Sequence, residues 1–117
     1  NDVELQRRVL TDHQVALNLA QRELQNLTGT IAELEATLGR RERLLSEAYP
    51  VLQKAMADGL TEVQFAGSTR TLEEFQKDVD QLLGDQERES KQLEIRRSGL
   101  TKLESSVAQG ESALSEM

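Results

Sequence analysis

The sequence predicts an all-α fold: a long antiparallel coiled-coil helical hairpin, its two arms joined by a small β-hairpin at the tip. Three observations predict it. Apolar residues recur every seven positions along almost the whole chain. One short stretch, residues 59–72 (GLTEVQFAGSTRTL), is the only part that cannot be helix. The composition is 37% hydrophobic but only 3% aromatic, which suits long helices with a narrow seam and not a globular core. Together these place one coiled-coil hairpin over residues 1–117, with helix over 3–57, tip over 59–71 and helix over 72–115.

In the ascending helix, taking Val3 as position a and stepping by seven gives Leu10, Leu17, Leu24, Ile31, Leu38, Leu45 and Leu52, every one apolar. The d positions are Gln6, His13, Ala20, Leu27, Leu34, Arg41, Ala48 and Ala55. A strict seven-residue repeat held this long imposes a left-handed supercoil. The helix would measure roughly 80 Å at 1.5 Å per residue. Pro50 falls at the outward f position, where it frees the carbonyl of Ser46. It predicts a kink, with a break at Tyr49 as the alternative. Asp58-Gly59 is a stop, because glycine can take the left-handed cap conformation.

At the tip, Val63-Gln64-Phe65 alternates apolar and polar, Ala66-Gly67 supplies a tight turn, and Ser68-Thr69-Arg70 returns as a second strand. Thr71 with Glu74 three residues on is a capping box that starts the second helix. Val63 and Phe65 share one face, and a two-stranded ribbon is marginal unless that face is covered. The nearest cover is Ala55, Met56, Leu72 and Phe75, so the tip is expected to fold back as a cap. Its outer edge, Gln64, Ser68 and Arg70, is then left for a partner, with Phe65 added if the tip is itself a binding site.

The descending helix has Leu72, Val79, Gln86, Leu93, Leu100, Val107 and Leu114 at a, and Phe75, Leu82, Glu89, Arg96, Leu103, Gly110 and Met117 at d. Two registers compete. If paired residue numbers sum to 127, apolar meets apolar at Leu52/Phe75, Ala48/Val79, Leu45/Leu82, Leu27/Leu100 and Ala20/Val107. Arg41, Gln86 and Glu89 then collect into one polar layer that sets the register. A sum of 134 sets Arg41 against Leu93 and Glu89 against Leu45. Unpaired burial of charge is the larger penalty, which favours 127. Glu35 and Arg97, both at e, can pair across the seam in either register.

Five glycines (Gly29, Gly39, Gly84, Gly99, Gly110) lie inside helical pattern. Gly39 and Gly84 flank the polar layer, either as tolerated surface positions or as a flexible waist. Leu5, Val9, Ala16 and Leu19 form a second apolar stripe beside the seam at the base, and Leu44, Tyr49, Val51, Leu83 and Ile95 also lie off it. A two-helix coil cannot cover these, so the chain is expected to be a homodimer or higher oligomer, in a four-helix arrangement.

Chemistry-bearing constellations are missing. His13 is the only histidine and there is no cysteine, so no transition-metal site or thiol chemistry is expected. There is no phosphate-binding glycine loop and no nucleophile–base pair, and neither an enzyme nor a cofactor is expected. A net charge of −7 argues against nucleic acid and anionic membrane surfaces. Glu42 interrupts the basic cluster Arg40, Arg41, Arg43. Asn26-Leu27-Thr28 matches a glycosylation sequon and is read as idle in mid-helix. No apolar run reaches the roughly 20 residues of a membrane span. The first residue, Asn1, is not Met, and the expectation is of a fragment whose targeting or anchoring segment lies elsewhere.

The run Val63-Gln64-Phe65-Ala66-Gly67-Ser68-Thr69-Arg70-Thr71, followed by Glu73-Glu74-Phe75-Gln76-Lys77-Asp78-Val79, resembles uncharacterised coiled-coil proteins of planctomycete-type bacteria. Their tips read aromatic-Ala-Gly-Arg/Lys-Ser/Thr-Tyr-Ser/Thr; here Ser68 and Arg70 stand in place of the basic residue and the Tyr. The resemblance covers about twenty residues and implies a bacterial protein tethered to a membrane by a hydrophobic segment ahead of the coil. The shape is also similar to prefoldin subunits, without a sequence match. The functional expectation is therefore a non-enzymatic spacer, scaffold or tether making protein–protein contacts. A prefoldin-like holdase arm is the alternative.

Overall fold

The computed structural model describes residues 1–116; Met117, expected at a d position, lies outside them. Helix α1 spans Asp2–Ala57, strands β1 and β2 span Glu62–Phe65 and Ser68–Thr71, and helix α2 spans Leu72–Ser115. The protein is thus an all-α helical hairpin with a small antiparallel β-hairpin between its arms. Two compact units make it up: Asn1–Glu33 with Leu93–Met117, and Leu34–Gln92, which carries the tip.

Local signals explain where each helix starts and stops. Asn1 caps α1, its Oδ1 accepting the N–H of Val3 at 2.8 Å and of Glu4 at 3.2 Å. Asp2 and Glu4 add favourable negative charge to that first turn. The helix runs through Pro50 without a break. Proline removes one rung of the ladder, but Ala48, Leu52 and Ala55 on either side are buried and hold the turn in place. At its end Leu60 N–H donates to Ala55 O at 3.0 Å and Gly59 N–H to Met56 O at 3.3 Å, with Gly59 at φ 66°. This is a Schellman stop, and it needs the left-handed residue.

In the tip, Phe65 pairs with Ser68, Gln64 with Thr69, Val63 with Arg70 and Glu62 with Thr71. The two-residue turn between the strands has positive φ at both Ala66 (51°) and Gly67 (79°), the type I′ geometry that matches strand twist. Thr71 and Glu74 then cap α2 reciprocally: Glu74 N–H donates to Thr71 Oγ1 and Thr71 N–H to Glu74 Oε1, both at 3.1 Å.

The core of the tip unit is Ala48, Leu52, Ala55, Val63, Phe75 and Val79, all buried, with Leu45, Val51, Phe65 and Leu72 packed against it. Val63 and Phe65 both turn onto the helices, and the Phe65 ring meets Phe75 edge-on at 5.6 Å between centroids. Met56, expected beneath the ribbon, is exposed instead; it sits at an e position, off the seam. In the base unit Ile31, Leu93 and Val107 are buried, and Gly110 lies so near Leu17 that a Cβ would stand 3.2 Å from Leu17 Cδ1. His13 and Ala16 are exposed.

Candidate interaction surfaces

The tip, the polar layer and the base stripe are three distinct environments. At the tip, Gln64 and Ser68 are exposed, whereas Phe65 and Arg70 are half-buried. Arg70 is fully engaged: its Nε donates to Asp78 Oδ2 at 3.0 Å and its Nη2 to Asp78 Oδ1 at 3.1 Å. Its Nη1 also lies 3.3 Å from Glu74 Oε2. The Asp78 hydrogen bonds, then the charges of Asp78 and Glu74, raise the Arg70 pKa above its ordinary value. The hydrogen bonds from Thr71, with Arg70 nearby, hold the Glu74 carboxyl below the usual range. Of the four tip residues singled out from sequence, Gln64 and Ser68 present free outer surface, and Phe65 and Arg70 serve the fold.

Asp78 escaped the sequence reading. A signal was present: Glu74 and Asp78 stand one helical turn apart on the same side of α2, and the capping box sets Glu74 beside the end of β2.

The structure brings Arg41, Gln86 and Glu89 together. Arg41 Nη1 forms an ion pair with Glu89 and donates to Gln86 Oε1 at 3.3 Å. Gln86 Nε2 in turn donates to the Leu38 carbonyl at 3.0 Å. Arg41 and Gln86 face each other as in the register summing to 127, and so do Leu17 and Gly110 in the base unit. A buried side-chain polar atom without a partner is absent among the described residues.

At the base Leu5, Val9, Ala16 and Leu19 are all exposed, and an open groove is lined by Val3, Leu5, Val9, Leu10 and Leu114. Val15 is exposed beside them; its four-residue spacing from Leu19 was the signal that would have added it to the stripe. Among the described residues no cluster of His, Cys, Asp or Glu is placed to hold a metal ion. No described helix is long and apolar enough to cross a membrane.

The chain matches no protein-family profile, no curated protein and no solved structure.

Proposed function

We propose that this chain is a non-enzymatic interaction module: an antiparallel coiled-coil hairpin that serves as a spacer, scaffold or tether and self-associates through its base. The observation that carries this reading is the contrast between the two units. In the tip unit the apolar side chains of the ribbon are spent on the fold, Val63 in the core and Phe65 against Phe75. In the base unit Leu5 is 61% and Leu19 53% exposed, on helical turns too regular to be scattered surface residues. The tip resemblance supports a tethered bacterial protein, with the anchor outside these residues. A holdase needs adaptable apolar surface at its gripping end, and the half-buried, edge-packed Phe65 supplies little of it.

Suppression of aggregation of an unfolded substrate at near-stoichiometric protein separates the two readings. The module predicts no protection; protection that Phe65→Ala abolishes without lowering Tm would move the assignment to the chaperone arm. For self-association, sedimentation at micromolar concentration is expected to show more than a monomer. Leu5→Glu with Leu19→Glu should return it toward monomer.

A further inference from the structure

Within the first 19 residues Val3, Leu5, Val9, Leu10, Val15 and Leu19 all stand exposed. Four of these are placed symmetrically about Asp12. Leu5 and Leu19 lie seven positions to either side of it, and Val9 and Val15 three. At 3.6 residues per turn, Leu5, Asp12 and Leu19 fall within about 40° of one another, in a single strip along α1. Two antiparallel copies related by a two-fold axis at Asp12 bring Leu5 of one to Leu19 of the other at the middle of the strip, while Val9 and Val15, each about 60° round the helix from Asp12, line its opposite edges.

We propose that this strip docks on the same strip of a second copy, with the two α1 helices antiparallel and the two-fold axis passing beside Asp12. The inference rests on the self-association reading above and adds its geometry. Leu5 of each copy then packs beside Leu19 of the other, and Ala16, being small, leaves room for the stem of the opposing Arg8.

Charge decides the direction. A parallel pair would set Asp12 against its own copy, place Glu4 beside Asp2 of the other copy, and hold Glu4 about 27 Å along the axis from Arg22 of the other copy. The antiparallel pair leaves only the two Asp12 carboxylates alike, and each has an Arg8 of the other copy about 6 Å along the axis. It also brings Glu4 within about 3 Å axially of Arg22 of the other copy, on the same edge of the strip. Like charges in register oppose association by about as much as opposite charges favour it, so the antiparallel arrangement wins.

The chain has no cysteine, which makes cross-linking decisive. Asp12→Cys alone is expected to form a disulfide-linked dimer under mild oxidation, because a residue on the axis meets its own mate. Leu5→Cys and Leu19→Cys are each expected to stay uncrosslinked alone and to link when mixed. In sedimentation, Glu4→Arg and Arg22→Glu should each weaken the dimer about tenfold over its two symmetric copies, and the double reversal should restore it. Circular dichroism on each variant verifies that the helices remain formed. Self-linking of Leu5→Cys, or a dimer that the double reversal does not rescue, overturns this geometry while leaving self-association standing. A monomer at every concentration removes both.

Discussion

The Arg70 guanidinium forks onto the Asp78 carboxylate through two hydrogen bonds, at 3.0 and 3.1 Å, and so ties the second tip strand to the first turns of α2. Planar two-point pairing is the geometry in which an exposed ion pair is most effective. Arg70→Ala and Asp78→Ala are each expected to lower Tm slightly, Arg70→Ala the more because it also loses Glu74, with the double variant no worse than Arg70→Ala alone. Fully additive losses in that cycle would show that the pair contributes nothing to holding the tip.

Arg41 and Glu89 form an interhelical ion pair in the tip unit, with side chains 14% and 30% exposed. Arg41→Leu alone strands Glu89 and Gln86 on the seam. It is expected to cost about 2 kcal/mol, below the range for a fully buried pair because Glu89 retains some water. Arg41→Leu with Glu89→Leu should recover wild-type stability or exceed it, since no unpaired charge is left, the leucine at position 89 faces Leu38, and Gln86 keeps its hydrogen bond to the Leu38 carbonyl. Denaturant titration of the four proteins checks it; additive losses would deny the coupling.

Glu74 gives the tip a pH dependence whose sign follows from its folded-state pKa lying below the ordinary 4.5. The folded state prefers the carboxylate, so the contribution is complete above about pH 4.5 and is lost as pH falls through the lower, folded value. Thermal melts from pH 6 down to pH 2.5 are expected to show this loss. Glu74→Gln should remove that part of the slope while lowering Tm at pH 6, because a neutral amide is the weaker cap.

The helical glycines divide sharply. A Cβ at Gly39 or Gly84 meets nothing within 4 Å, whereas one at Gly110 would lie 3.2 Å from Leu17 Cδ1. Gly84→Ala and Gly39→Ala are therefore expected to stabilise by up to about 1 kcal/mol each, the ordinary helix preference of alanine. At Gly110 the same change gains propensity but presses on Leu17, so it should be neutral or destabilising. Chemical denaturation of the three variants distinguishes them. Loss of activity in a tethering assay with Gly84→Ala at raised stability would show that a flexible waist matters.

Much of the fold is legible in the chain because its signals are local. Thr71 and Glu74 lie three residues apart and make their cap without help from elsewhere, and Gly59 and Gly67 mark the places where φ turns positive. Ala66 shares that conformation at φ 51°, and no local rule favours it there: alanine takes a left-handed conformation at a cost of roughly 1–2 kcal/mol. The ribbon it joins is held by Val63 and Phe65 packing on the helices, which only the folded tip supplies.

By itself the sequence determined two long helices, the break between them, the Gly59 stop and the Thr71/Glu74 cap, and the seam residues from Leu17 to Leu52 and from Leu72 to Val107, apart from Arg96, which is exposed. These depend on spacing along one chain, and a period of seven survives any detail of packing. The tertiary structure decided which residues of that pattern are used up and which are left over. Arg70 belongs to Asp78 and Glu74, Phe65 to Phe75, and Met56 to solvent. Those outcomes turn on the angle at which the strands meet α2 and on how far round each helix a side chain points. Contacts between residues distant in sequence set both quantities, and no window of neighbouring residues encodes them.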